Sequence, residues 1–215
     1  MASARRQRRF DRSELVVDAA AEIFRRKGYD ATSLQEIADE VGILKGSMYH
    51  YIATKEDLLF AIIQRNHERI ITGNQGWRAL VDDPVAALRS FVSGHIRLSL
   101  ENRTDSVVFV RDFRALSPER AASIVQRQHD YDHDFRTLVG TAVTAGLLRP
   151  GVTPAFAARA VFGMANWIHH WFDPAGSLPA GDVVRELSDY ALASLLGPSD
   201  TIKRLVDNEV PAAVQ

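Results

Sequence analysis

Arg5, Arg6, Arg8, Arg9 and Arg12 stand within the first dozen residues, against a single acid, Asp11. Guanidinium groups at that density suit a localised contact with phosphates. A second set of polar side chains, Lys45, Ser47, Tyr49 and His50, falls within six residues. A lysine there can donate to guanine O6 and N7 at a base edge. Two further constellations invite chemistry. His129 and His133 are four residues apart, so on a helix they share a face and could chelate one metal ion. Runs such as His129-Asp130-Tyr131-Asp132-His133-Asp134 are more often solvated helix surface, and no metal is expected. Asp112 and Glu119 could work as paired carboxylates only if the fold joins them.

Other chemistry is excluded by composition. The chain has no cysteine, so it has no disulfide, thiol nucleophile or zinc–thiolate site. It carries no phosphate loop, dinucleotide loop or nucleophile elbow, which argues against an enzyme and against a bound cofactor. The 215 residues are 46 % hydrophobic and 25 % charged, enough for a proper core in one domain or two small ones. A net charge of −1 and a pI near 6.7 do not describe a protein that coats nucleic acid. Any phosphate contact must therefore be local. No stretch approaches the roughly 20 apolar residues of a membrane span. The basic start is not followed by an apolar run, as a secretory signal requires. A cytoplasmic protein with no membrane contact is expected.

The elements that must position these groups read as helices nearly throughout, with apolar residues at i, i+3, i+4 spacing. Val16, Ala20, Ile23 and Phe24 stripe a first helix that ends near Lys27-Gly28. Ser33 with Glu36 forms a capping box for a second, which Gly42 ends. A short third helix runs to about Tyr51. Thr54 to Asp57 cap a fourth carrying Leu58, Leu59, Ile62 and Ile63, which Gly73 and Gly76 end or kink. Prolines and glycines then punctuate helices predicted near 84–101, 105–116, 118–146, 154–172 and 180–196. The fold class predicted is all-α.

The most specific spacing lies between Leu34 and Tyr51. A helix-turn-helix needs a small residue where its helices cross, and Ala38 supplies one. Its turn needs a residue that tolerates positive φ, and Gly42 follows four residues later. Ile37, Val41, Ile43, Met48 and Tyr51 fall at inward offsets. Lys45, Ser47, Tyr49 and His50 fall outward. By spacing alone, an ordinary helical hairpin in a bundle is the alternative.

The residues Thr32-Ser33-Leu34-Gln35-Glu36-Ile37-Ala38-Asp39-Glu40-Val41-Gly42, then Lys45-Gly46-Ser47-Met48-Tyr49-His50-Tyr51-Ile52 and Thr54-Lys55-Glu56-Asp57-Leu58-Leu59, resemble the TetR family signature. Ala19 to Phe24 and Lys27-Gly28-Tyr29 resemble that family too, so the likeness covers roughly residues 10–63. It implies a basic arm at 1–9, a three-helix DNA-binding domain at 10–56, a helical effector-binding and dimerisation domain at 57–198, and a tail at 199–215. It also implies a repressor that binds a palindromic operator as a homodimer and is released by a small molecule. The third helix would enter the major groove. Lys45 would read a base edge, Tyr49 and His50 would hold phosphates, and Gly46 would allow close approach. Thr32 and Ser33 would offer donors to a phosphate at the second helix's positive end. Lys55 would clamp another, and the arm would reach flanking phosphates or the minor groove.

The remainder carries no such signature. Candidate effector-pocket residues are His95, Phe109, Phe113, Tyr131, Phe135 and Trp167. Candidate dimer-interface residues are Phe156, Ala160, Ile168 and Phe172 on one helix and Val184, Leu187, Ala191 and Leu195 on the next. The segment Asn166 to Gly176 resembles TetR-type regulators of lipid, steroid and aryl-CoA catabolism, which implies a CoA thioester as effector. Arg97, Arg103, Arg111 and Arg114 are the cations nearby in sequence. The alternatives are a helical enzyme or a metal-responsive regulator built on His129 and His133.

Overall fold

The computed structural model describes residues 2–196, with side chains from residue 13 onward. The side chains of Arg5, Arg6, Arg8 and Arg9 and the tail at 199–215 lie outside the described residues. The elements are α1 (Ala2–Lys27), α2 (Leu34–Val41), α3 (Lys45–Met48), α4 (Lys55–Gly73), α5 (Pro84–Glu101), α6 (Arg103–Asp112), α7 (Pro118–Thr144), α8 (Pro154–Trp171) and α9 (Ala180–Leu195). Short 3₁₀ turns occupy Gly76–Leu80 and Phe113–Ala115. Among the described residues the one β contact is an isolated bridge between Leu148 and Leu196. No described helix is long and apolar enough to cross a membrane.

Local signals account for most boundaries. The Ser33 hydroxyl accepts from the Glu36 N–H at 3.2 Å, and the Glu36 carboxylate accepts from the Ser33 N–H at 2.9 Å. This reciprocal box satisfies two orphan donors at the start of α2. Asp57 accepts from the N–H groups of Ala53 and Thr54 at 2.7 and 2.8 Å, fixing the start of α4. That helix ends at Gly73 and does not continue through Gly76.

The chain divides into two compact units. The first joins Met1–Gly73 to Leu98–Tyr131, so α6 and the first half of α7 belong with α1 to α4. Its core holds Ala20, Phe24, Ile37, Ala38, Met48, Leu58, Leu59, Ile62, Ile63 and Val108, all inaccessible to solvent. Such burial is worth about 1.5–3 kcal/mol for each large aliphatic side chain. The second unit joins Asn74–Arg97 to the chain from Asp132. Phe91, Phe135 and Phe162 pack pairwise there, with ring centroids 5.2–6.3 Å apart, and Trp77 and His95 close the cluster. Gly94 is required beside it: an added Cβ would lie 2.1 Å from the Asn74 side-chain oxygen. Asn74 in turn donates to the Phe91 carbonyl and accepts from the Trp77 indole.

The first unit holds carboxylates that resist protonation. Burial pushes Asp57 up, but hydrogen bonds from Arg120 and from the Thr54 and Ala53 N–H groups outweigh it and hold the group down to about 2. The Lys27 ammonium and the Ser33 N–H hold Glu36 to about 2. A carboxylate depressed in the fold stabilises it fully above its unfolded pKa, and the contribution is lost as pH falls through the folded value. The melting temperature is therefore expected to fall between about pH 4.5 and pH 2. Asp57→Asn should flatten that decline while lowering the midpoint at pH 7. A pH series of thermal melts checks this, and equal acid slopes for both proteins would refute it.

Candidate nucleic-acid interface

The helix-turn-helix is assembled by α2, its turn and α3. Gly42 adopts φ 72°, ψ 36°, a left-handed conformation that costs a Cβ-bearing residue roughly 1–2 kcal/mol. That geometry lets the Gly42 N–H reach Asp39 and the Ile43 N–H reach the Ala38 carbonyl at 2.9 Å, closing α2 and turning the chain. Ala38, wholly buried, is the small residue at the crossing. Ile37 and Met48 are wholly buried, and Val41, Ile43 and Tyr51 pack half-buried against the same core. α3 is one turn long, and hydrogen-bonded turns carry the chain from Met48 to Ile52.

Anchoring one side of α3 leaves the other side outward. Lys45, Gly46, Tyr49 and His50 are exposed and Ser47 is half-buried. An added Cβ at Gly46 meets nothing within 4 Å, so that part of the surface is open to an approaching backbone.

The three remaining phosphate candidates make hydrogen bonds within the protein. Thr32 is 3 % exposed, and its hydroxyl donates to the Gly28 carbonyl at 2.8 Å. That bond ties Thr32 to the residue that follows α1. The Ser33 hydroxyl and N–H are both engaged by Glu36, whose carboxylate already occupies the positive end of α2. The Lys55 ammonium donates to the carbonyls of Tyr29 and Thr32 at 2.8 and 2.9 Å and lies 4.2 Å from the Tyr29 ring centre. Lys55 ties α4 to the α1–α2 loop. Lys55→Ala should cost about 1–3 kcal/mol by leaving both carbonyls unpaired. The slope of log affinity against log salt should not change. A slope reduced by about one would restore Lys55 as a phosphate contact.

α4 is held from behind by an ion network. Asp105 on α6 is 3 % exposed, and Arg65 Nε and Nη2 donate to its two oxygens at 2.8 Å each. Arg65 also reaches Asp18 on α1 at 2.5 Å, and Arg69 stands 3.5 Å from Asp105. The Ser106 hydroxyl donates to Asn66 at 2.9 Å in the same seam. Beside it His67 packs edge-on against Phe109, with centroids 4.7 Å apart. Burial, aided by Arg127, holds its pKa down to about 4, so the ring is neutral. Nothing in residue spacing pairs Arg65 with Asp105 across 40 positions.

The six effector-pocket candidates fall in both units. Phe109 and Phe113 belong to the first unit and pack against the helix-turn-helix core. Tyr131 is half-buried at the end of that unit. His95 and Phe135 belong to the aromatic cluster of the second, with Phe91, Phe162 and Trp77, which sequence did not single out. Trp167 is 61 % exposed and stacks on His170.

Of the arginines offered for CoA phosphates, Arg111 is engaged within the first unit. Arg111 donates to the Phe24 and Arg25 carbonyls at the end of α1 and pairs with Asp112. Arg103 lines a cleft of about 350 Å³ in the first unit, where it, Arg65 and Arg69 meet Asp18, Glu22, Glu101 and Asp105. Four acids against three arginines present no net positive charge to a phosphate. Arg97 and Arg114 are exposed. His129 and His133 both stand exposed on α7, and among the described residues no cluster of three ligand-type side chains forms.

The dimer candidates divide by helix face. Ile168, Phe172, Ala191 and Leu195 are at most 6 % exposed within one chain, so they are core and not a surface. Val184 and Leu187 are half-buried, whereas Phe156 is 69 % exposed and Ala160 is exposed. α8 is apolar on nearly every side, and periodicity cannot choose the outer face of such a helix. The outward stripe is Phe156, Ala160, Gly163, Trp167 and Trp171, at successive spacings of four, three, four and four residues.

Comparison with known proteins agrees with this geometry. Residues 16–62 match the model "Bacterial regulatory proteins, tetR family", and residues 81–195 match "Tetracyclin repressor-like, C-terminal domain". The HTH-type transcriptional repressor KstR2 of Mycobacterium tuberculosis is 27 % identical over 197 residues, covering 86 % of this chain and 91 % of KstR2. The TetR family regulator PfmR of Thermus thermophilus is 30 % identical with a TM-score of 0.74, covering 83 % of this chain and 97 % of PfmR. AibR in complex with isovaleryl coenzyme A and operator DNA is 29 % identical with a TM-score of 0.74, covering 87 % of this chain and all of AibR. Domain matches at both ends and an outward α3 on a buried helix-turn-helix lead to one conclusion: the chain belongs to the TetR family of bacterial regulatory proteins, a DNA-binding transcriptional regulator and not an enzyme.

Proposed function

We propose that this protein is a cytoplasmic homodimeric repressor that occupies a palindromic operator and leaves it when a CoA thioester binds. Residues 10–56 hold the DNA and residues 57–198 serve the effector and the partner subunit. Lys45 reads a base edge, and Tyr49 and His50 take phosphates. The effector's acyl or aryl part enters the aromatic cluster around Phe91, Phe135, Phe162 and His95. The single observation that carries the reading is the likeness to AibR, which was solved with both isovaleryl coenzyme A and operator DNA. The repressor KstR2 supports the sign of regulation. A dimer is also required physically, because one recognition helix spans few base pairs and two half-sites one turn (~34 Å) apart supply affinity.

The test is selection of bound fragments from a random DNA pool at stated salt, followed by titration of the selected operator complex with isovaleryl-CoA, long-chain acyl-CoA and aryl-CoA. One enriched palindrome, released by a thioester and not by free CoA, is the expected result. A palindrome that no thioester releases would remove the effector assignment and leave the DNA-binding one standing.

A further inference from the structure

Leu44 is 80 % exposed, more than any other large hydrophobic residue described. It occupies the N-cap of α3, in extended conformation, and its side chain makes no cap hydrogen bond. A serine, threonine, aspartate or asparagine at that position would satisfy an orphan helix N–H and stabilise the protein. Leucine forgoes the cap and leaves an isobutyl group in water. α6, α8 and α9 also lack a side-chain cap bond, but the two helices that flank α3 have one. α2 is capped by Ser33 with Glu36, and α4 by Asp57 with Thr54. What sets Leu44 apart is a large apolar side chain held in water at a cap position, and a broken local rule of that kind marks a functional position.

Leu44 directly precedes Lys45 and Gly46 and lies on the edge of the surface that α3 presents outward with Tyr49, itself 55 % exposed. The major groove is lined by donors and acceptors, with one apolar group among its four base patterns, the thymine 5-methyl. A leucine at the tip of a groove-reading helix has that methyl as its matched partner. We infer that Leu44 reads a thymine 5-methyl in each half-site, so that part of the operator's specificity is apolar. This rests on the reading of α3 as the groove-reading helix.

The experiment uses the full-length protein and its selected operator, with each thymine replaced in turn, symmetrically in both half-sites, by deoxyuridine, which lacks only the methyl. One position should weaken wild-type binding by about fourfold per half-site, and about fifteenfold for both, as expected for one buried methyl-sized contact. Leu44→Ala should bind the thymine and deoxyuridine operators equally. Leu44→Ser should melt no lower than wild type while losing the same discrimination, which separates a reading role from a folding one. A scan in which no deoxyuridine matters, or in which the penalty persists in Leu44→Ala, would overturn the inference while leaving DNA binding intact; an exposed leucine of that kind would then serve a protein partner. Failure of the wild-type protein to select any operator would overturn the groove-reading assignment and this inference with it.

Discussion

For the proposed homodimer, Trp167→Asp is expected to give monomers and to lower operator affinity by about two to four orders of magnitude. Trp167 is 61 % exposed in one chain and sits among Phe156, Ala160, Gly163 and Trp171 on the outer stripe of α8. Tyr190 on α9 is 66 % exposed and adds another large apolar surface. Aromatic residues in such number on a surface mark an interface. Stable association needs about 800 Å² from each partner. A carboxylate at its centre must be desolvated without a counter-charge, whereas in the free chain it stays in water. The fold of the single chain should therefore persist, with an unchanged helical spectrum. The affinity loss follows because the second half-site then binds as a separate molecule. Sedimentation and operator titration of the same sample check both effects. A Trp167→Asp protein that remains dimeric would move the interface off α8.

Arg65→Ala is expected to destabilise the protein by about 3–5 kcal/mol and to lower the melting midpoint by roughly 10 °C. The cause is the Asp105 carboxylate, 3 % exposed, which would lose both 2.8 Å hydrogen bonds and keep only Arg69, 3.5 Å away and half in solvent. Asp18 would lose its partner at little cost, since it is 61 % exposed. Arg65→Lys should fall between, because one ammonium cannot reproduce the two parallel hydrogen bonds of a guanidinium. Removing both charges with Arg65→Met and Asp105→Leu should recover most of the loss, since the penalty belongs to an unpaired buried charge and not to the missing pair. Thermal and urea unfolding of the four proteins decide this. A loss below 1 kcal/mol in Arg65→Ala would show that water or Arg69 replaces it. Arg65 joins α4 to both α1 and α6.

By itself the sequence determined what depends on neighbours along the chain. The capping boxes at Ser33 and Thr54, the left-handed turn at Gly42 and the helix periods all act within a few residues, so the all-α fold and the helix-turn-helix were legible. So was the outward set of Lys45, Tyr49 and His50, because inward and outward positions differ in polarity on α2 and α3. The tertiary structure decided everything that depends on distant partners. Thr32, Ser33 and Lys55 have the right chemistry for phosphates, and only the fold shows that they also bond Gly28, Glu36, Tyr29 and the Thr32 carbonyl. Arg111 was available to a phosphate until the end of α1 took it. Ile168 and Trp167 are adjacent and both apolar, and only packing put one in the core and the other outside. Hydrophobicity records that a side chain avoids water; it does not record which surface provides the shelter.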